Sequence, residues 1–348
     1  MSEIYKYIQM NPDGFFVLNN EAITDKDYGR QLLESMTMDS RHRPVVTFQG
    51  VHAYVEAFDE PLIVQQVEFN NQKWNAICLY DFSANFYLDS LSLDEWDRFH
   101  GITEQGVPFV FSRKAQNEFF NLLDEFDDDS ITFQEKVYTP PLWPGCNADV
   151  EKESFWSQKY SEMDPPGWEL GEPAKPLVEV LPQLKLVKSR ILVLGCGNGH
   201  DAALFAQQGH IVTAIDMSLQ ALENAKKNYG HLTNLTFIQA DALQLNPQFE
   251  GQFDVVFEHT FYCAIPPEKR DHLVKIWKSY LTDTGHFLGI FFTWPKPLIG
   301  PPFSGSEYEI KRRLDKYFKP LYWTRWKSSL PHRQGTELVV YALVKGNA

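Results

Sequence analysis

The sequence lacks the residue spacing that builds a metal cluster, a disulfide frame or a membrane span. Its four cysteines, Cys78, Cys146, Cys196 and Cys263, stand far apart and form no C-x-x-C pair. That argues against zinc and against a disulfide scaffold, so no metal is expected, and it suits a reducing, cytoplasmic setting. The longest apolar run, Phe287 to Trp294, is far short of the roughly 20 residues that cross a bilayer. Met1 to Met10 carries Glu3 and Lys6 and no apolar core, so neither a secretory signal nor membrane attachment is expected. Clustered basic residues are missing too. Residues 1–150 hold 25 acidic and only 10 basic side chains, and the remainder 21 and 22. Neither part therefore offers the lysine and arginine density that displaces counterions from nucleic acid.

At 348 residues, with 43% of them apolar, the chain is long for one domain and rich enough to bury two cores. Residues 1–139 read as an acidic α+β domain, 140–152 as a Pro-rich linker, and 153–348 as a second domain. In the first, Asp25 to Met38 and Arg113 to Phe126 have helical apolar periodicity, the latter entered through Ser112 as N-cap. Between them, Val45–Gln49, Val51–Phe58, Leu62–Phe69, Trp74–Tyr80 and Asn85–Leu88 are β-branched or aromatic segments broken by Gly, Pro, Asn or Asp, which predicts an antiparallel sheet. No catalytic constellation appears there. His42, His52 and His100 have no partner at metal-ligand or triad spacing, and Asp127-Asp128-Asp129 reads as a solvated helix end. Pro140-Pro141 and Trp143-Pro144-Gly145 stop both helix and sheet.

From residue 190 the pattern changes to apolar strands alternating with amphipathic helices, the mark of a parallel α/β sheet. The stretch Arg190 to His200, R-I-L-V-L-G-C-G-N-G-H, predicts a buried strand, a tight glycine turn and a helix N-terminus whose free N–H groups can meet a ligand. Further strands are expected at Ile211–Ile215, Leu235–Gln239, Phe253–Phe257, His286–Trp294, Leu321–Trp326 and Glu337–Val344. The last two pair as an antiparallel hairpin, giving seven strands in a Rossmann-like sheet. Asp216 closes the second strand, 21 residues beyond Gly195, where a carboxylate can accept from both ribose hydroxyls of a nucleoside. Asp241, in the turn Ala240-Asp241-Ala242, is placed to accept from an adenine amine. Two cofactors suit this spacing, NAD and S-adenosylmethionine. The dinucleotide fingerprint G-x-G-x-x-G would require glycine at position 200, where the chain has His200, so the spacing points to S-adenosylmethionine and a class I methyltransferase fold.

Several segments together resemble the thiopurine methyltransferase family, in particular its plant-type halide and thiol methyltransferases and their bacterial relatives. They are Phe155-Trp156, Gly167-Trp168-Glu169-Leu170-Gly171, Gly195-Cys196-Gly197, Phe261-Tyr262-Cys263-Ala264-Ile265-Pro266-Pro267-Glu268, Gly300-Pro301-Pro302-Phe303 and Ser329-Leu330-Pro331-His332-Arg333-Gln334-Gly335. The resemblance covers residues 153–345. It implies that an aromatic segment folds over S-adenosylmethionine, with Trp156, Trp168 and Tyr160, the last standing where the family usually has Trp. It also places Gly195, Gly197, Asp216, Asp241, Ala242 and His259 at cofactor-contacting positions, His259 replacing the usual Tyr or Arg. Phe261, Tyr262, Phe292, Trp294 and Phe303 become candidates for an apolar substrate wall, with 300–305 as a mobile lid.

The chemistry implied is methyl transfer to a small soft nucleophile, a thiol or thiopurine-like sulfur compound, by in-line displacement. That reaction asks for alignment more than for acid or base. His259 is the candidate to take a thiol proton. The turn after the fourth strand reads Glu258-His259-Thr260-Phe261 in place of the D-P-P-Y-like turn of many amino-group methyltransferases. Plant relatives place Tyr at the position of Phe292, which favours a larger sulfur acceptor over halide. The competing reading is a cofactor-sensing module, whose acidic N-terminal domain recruits a protein partner or a second copy.

Overall fold

The computed structural model describes the chain apart from residues 1–5, 20, 41–42, 49, 95, 128–129, 144–147, 163–165, 294–299, 304, 331–332 and 347–348. Contacts divide it into two compact units, one within Met1–Cys146 and the other within Asn147–Trp294 and Gly300–Ala348.

Among its described residues the first unit holds two α-helices, Lys26–Glu34 and Arg113–Phe120, and four small sheets of six, three, four and three strands. This departs from the single antiparallel sheet expected. The run Leu62–Phe69 breaks at Gln65, whose N–H donates to the Ile77 carbonyl at 2.7 Å. Leu62–Val64 pairs in parallel with Pro108–Phe111, while Gln66–Asn70 joins Lys73–Ile77 in an antiparallel hairpin. A second parallel pair joins Lys6–Met10 to Val51–Ala57.

Ser112 caps the second helix as expected, its hydroxyl accepting from Ala115 N–H at 3.1 Å. That helix ends at Phe120, however, and Glu125–Phe126 begins a strand. Asp127 is therefore no helix end; its carboxylate accepts from Ser130 N–H at 2.7 Å in a tight turn, and Asp128 and Asp129 lie outside the described residues. Of the linker, Leu142 bridges to Leu93, and Trp143 is buried against the His100 ring, 4.7 Å between centroids. His100 itself is clamped between Asp94 (3.1 Å) and Glu60 (3.4 Å), a structural role.

Aromatic side chains fill this unit's core. Phe119 is fully buried and meets Trp74, Phe99 and Phe111 edge to face at 5.3–5.4 Å. Phe119→Ala removes a ring that these neighbours cannot replace, and is expected to cost about 3–5 kcal/mol, readable in a denaturant melt of the full chain.

The second unit is a three-layer α/β fold. Its strands are β1 (Arg190–Leu194), β2 (Ile211–Asp216), β3 (Leu235–Gln239), β4 (Phe253–His259), β5 (Leu281–Phe292), β6 (Phe318–Arg325) and β7 (Glu337–Val344). They form one sheet in the order β3-β2-β1-β4-β5-β7-β6. Every pairing from β3 to β5 is parallel, and β7 runs antiparallel to both β5 and β6. The last hairpin thus exists, but its second strand is inserted beside β5 and its first forms the edge. β1 and β4 are buried runs of Ile, Leu, Val and Phe because helices cover both faces. The helices are α1 (Glu153–Glu162), α2 (Lys175–Leu184), α3 (His200–Gln207), α4 (Leu219–Tyr229), α5 (Arg270–Tyr280) and α6 (Glu307–Leu314). Trp277 on α5 is fully buried and stacks on Phe287 of β5 at 4.7 Å, fixing that layer to the sheet. Among the described residues no helix is long and apolar enough to cross a membrane.

Candidate functional site

A parallel sheet leaves its crevice at the C-terminal ends of the strands, beside the point where the strand order reverses. Here that point lies between β1 and β4, and a cavity of about 420 Å³ opens there. Its floor is the turn after β1. Gly195 has φ +56°, and a Cβ placed on it would lie 2.4 Å from the Phe261 ring. Only a bare backbone fits between the turn and that ring.

Asp216, at the end of β2, lines the cavity. Its carboxylate accepts from Gly197 N–H and Ser218 N–H, both at 2.9 Å, so the acid braces the glycine turn while facing the crevice. Burial raises its pKa, against the backbone N–H groups of Ser218, Gly197 and Met217, which favour the charge. Ser218, not Asp216, caps α4, its hydroxyl accepting from Ala221 N–H at 3.1 Å. Asp241 and Ala242 lie on the next wall, and the Asp241 carboxylate accepts from Leu243 N–H at 2.9 Å.

An aromatic wall closes the opposite side. Trp156, Tyr160 and Trp168 are half-buried and all line the cavity. Trp156 donates its indole N–H to the Val150 carbonyl at 2.7 Å, and Trp168 donates to the Tyr160 hydroxyl at 3.1 Å. Trp168 meets each of the other two rings edge to face at 5.9 Å. The Tyr160 hydroxyl would also lie 2.7 Å from a Cβ on Gly197, so Gly197 contacts the wall although it does not line the cavity. Tyr160→Phe removes one hydrogen bond and should cost about 1 kcal/mol. We expect a few-fold weaker cofactor binding by calorimetry with the melting temperature little changed.

Of the expected substrate wall, Phe261 and Phe292 line the cavity. Tyr262 does not. It is buried, its hydroxyl donating to Glu309 Oε1 at 2.8 Å and its ring lying 4.3 Å beneath the Arg270 guanidinium. Phe303 does not either: it is buried with its ring against Gly300, and its N–H donates to the Cys263 carbonyl at 2.6 Å. Trp294 lies outside the described residues. In place of Tyr262 and Phe303 the lining includes Cys263, Ala264, Ile265, Pro301 and Pro302. Burial pushes the Cys263 thiol up to about 12 and the Cys196 thiol well above its ordinary value, so neither is a reactive thiolate.

His259 is the main correction. It does not line the cavity; its Nδ1 pairs with Asp201 Oδ2 at 2.8 Å, and its Nε2 lies 3.9 Å from Glu337 Oε1. Burial alone would lower its pKa, but the Asp201 and Glu337 carboxylates raise it to about 9. With its ring nitrogens turned to Asp201 and Glu337 and not to the cavity, the imidazole is placed as a brace from β4 to the first turn of α3 and the start of β7, away from where a thiol would sit.

Other residues of the site went unassigned from sequence. Arg333 lines the cavity, its guanidinium 3.3 Å from the Trp168 carbonyl and 3.5 Å from Glu337. His200, which occupies the position of the missing third glycine, pairs with Glu169 at 3.0 Å and with the Tyr229 hydroxyl at 2.6 Å. It fastens the aromatic segment to α3. Its place next to the glycine turn was the available signal.

A seven-stranded sheet in this order, with a glycine floor after the first strand and an acid closing the second, defines a class I S-adenosylmethionine-dependent methyltransferase. Comparison with known proteins carries this further. The profile of the thiopurine S-methyltransferase family matches residues 151–343. The chain belongs to that family, and S-adenosylmethionine is its cofactor. It is 29% identical over 190 residues to thiocyanate methyltransferase 1 of Arabidopsis thaliana, covering 53% of this chain and 82% of that one. It is 30% identical over 159 residues to the probable thiol methyltransferase 2 of the same plant, covering 44% and 69%. Among solved structures, the Burkholderia thailandensis 1,6-didemethyltoxoflavin-N1-methyltransferase with bound S-adenosylhomocysteine aligns at 21% identity and a TM-score of 0.47, over 65% of this chain and 99% of its own.

Proposed function

We propose that the second unit methylates a small, soft sulfur nucleophile, a thiol or thiopurine-like compound. In this reading Gly195 and Gly197 form the cofactor floor, Asp216 and Asp241 take the nucleoside, and Trp156, Tyr160 and Trp168 cover it. The residue set suits the group: a bare backbone where a side chain would collide, a carboxylate at the strand end, and aromatic faces toward a sulfonium. When bound, S-adenosylmethionine supplies an electrophilic methyl carbon. The chain's own part is to align the acceptor and keep water out.

The observation that carries the acceptor class is the mouth of the cavity. Phe261, Ile265, Phe292, Pro301 and Pro302 give the lining a largely apolar stretch; its carboxylates are Glu151, Asp216 and Asp241, the last two taken up by the nucleoside in this reading, and no histidine lies among the described residues lining it. An amine or alcohol would need a base to take its proton, whereas a thiol with a pKa near 8.5 is partly thiolate at neutral pH. Thiocyanate and thiol methylation by the two Arabidopsis relatives, as their names state, agree with this. The test is turnover of the full chain with S-adenosylmethionine against thiols, thiopurines, amines and phenols. Methyl thioether formation from the sulfur compounds alone is expected; faster methylation of amines or phenols than of thiols overturns the assignment.

A further inference from the structure

One buried carboxyl beside the site has no part in the roles above. Glu258, the penultimate residue of β4, is wholly buried and does not line the cavity. Its Oε2 accepts from two successive backbone N–H groups, Phe261 at 3.2 Å and Tyr262 at 3.0 Å. Its Oε1 has no hydrogen-bond partner among the described residues. Two donors on one oxygen fold the chain back on itself directly after the strand. Thr260, at the apex, is held at φ +55°, which a β-branched residue rarely adopts.

That turn presents the mouth of the cavity. Thr260, Phe261, Cys263, Ala264 and Ile265 all line it, and Phe261 is the ring that rests on Gly195. The other half of the mouth is tied to the same turn, because Phe303 N–H donates to the Cys263 carbonyl at 2.6 Å and thereby seats Pro301 and Pro302. The Glu258 carboxyl is thus upstream of both halves.

We propose that Glu258 is a positioning residue for the methyl acceptor: its carboxyl is the template on which the 259–264 turn folds, and through it the acceptor wall is placed over the cofactor floor. The inference rests on the reading of the mouth as the acceptor side. Burial pushes the Glu258 pKa up to about 7, and glutamine, which keeps an oxygen able to accept from both N–H groups, is the conservative replacement. Leucine keeps the volume but leaves both N–H groups buried without a partner.

The test compares wild type, Glu258→Gln and Glu258→Leu for acceptor KM, kcat and the Kd of S-adenosylhomocysteine, using whichever thiol the wild type turns over. The expected result is a rise in acceptor KM of roughly tenfold or more in the leucine variant, since both backbone N–H groups lose their acceptor. Its S-adenosylhomocysteine affinity should fall by a clearly smaller factor than the acceptor KM rises, because of the turn only Phe261 touches the cofactor floor, and the glutamine variant should keep both values. A uniform loss of fold would lower both affinities together; a leucine variant with unchanged acceptor KM overturns the proposal. A wild type that turns over no thiol overturns the acceptor reading instead, so the two failures are told apart. Should the leucine variant not fold, hydrogen exchange over residues 258–265 of the wild type and the glutamine variant decides. Slow exchange at the Phe261 and Tyr262 amides in both is expected, and fast exchange at either in the wild type refutes the template.

Discussion

Replacing Gly195 by alanine is expected to weaken S-adenosylhomocysteine binding about 30-fold or more, the equivalent of about 2 kcal/mol. Two costs combine. The residue sits at φ +56°, the left-handed region in which a Cβ costs about 1–2 kcal/mol. The new methyl would also lie 2.4 Å from Phe261 Cδ2 and 2.9 Å from its Cγ, so the ring must move, and overpacking of this kind typically costs about 1–3 kcal/mol. The ring lines the cavity, so a displacement into it takes space from cofactor and acceptor alike. Calorimetric titration of the variant against wild type measures the loss, and equal affinities would mean that the glycine turn is not the cofactor floor. A double variant, Gly195→Ala with Phe261→Ala, should recover part of the affinity, because it relieves the collision and leaves only the backbone cost.

His259→Ala is expected to cost about 3 kcal/mol of stability, because it removes the cation that pairs with the half-buried Asp201 carboxylate and lies beside the buried Glu337 carboxylate. Asp201 also accepts from Ala174 N–H at 2.7 Å, so its loss of order would reach α2 as well as α3. The pH dependence separates this brace from a catalytic base. With a folded pKa raised to about 9 from an ordinary value of 6.5, protonated His259 stabilises the fold. That contribution is fully present below about pH 6.5, is lost progressively as the pH rises through 9, and is worth about 3 kcal/mol in all. Unfolding free energies of wild type and His259→Ala should therefore converge between pH 6.5 and 9. A base would behave differently: stability would be unmoved, and kcat with a thiol would collapse below the histidine's pKa.

The elements of the second unit were legible because their signals are local. Alternating apolar strands and amphipathic helices, a glycine turn opening onto a helix, and an acid 21 residues on are each written within a short window. Their positions at the strand ends follow from the parallel sheet. The side from which a residue faces the crevice was less legible. His259 and Phe261 are two apart in sequence, yet with the turn at Thr260 between them the ring lines the cavity and the imidazole does not, lying against Asp201 instead. That outcome depends on Glu258, whose hydrogen bonds to Phe261 and Tyr262 are invisible in a sequence pattern. Tyr262 and Phe303 read as substrate residues for the same reason. They are large and adjacent to the lining, but each has a buried partner, Glu309 and the Cys263 carbonyl, that turns it inward. Arg333 escaped notice because it reaches the site from the loop before β7, 138 residues from Gly195.

In the first unit, the apolar segments marked most strands but not their partners. Leu62–Phe69 reads as one strand because its apolar content is continuous. Its division between two sheets comes from the different partners on either side of Gln65, Pro108–Phe111 before it and Lys73–Ile77 after it, and such long-range pairing leaves no mark on composition.

The central claim is that the cavity between β1 and β4 is the S-adenosylmethionine site. It is tested most directly by isothermal titration of the full chain with S-adenosylhomocysteine, alongside Asp216→Ala. Saturable binding of one molecule per chain, with the heat abolished or greatly reduced in the variant, is the predicted result. Binding of equal strength in both proteins, or no heat in either, would contradict it.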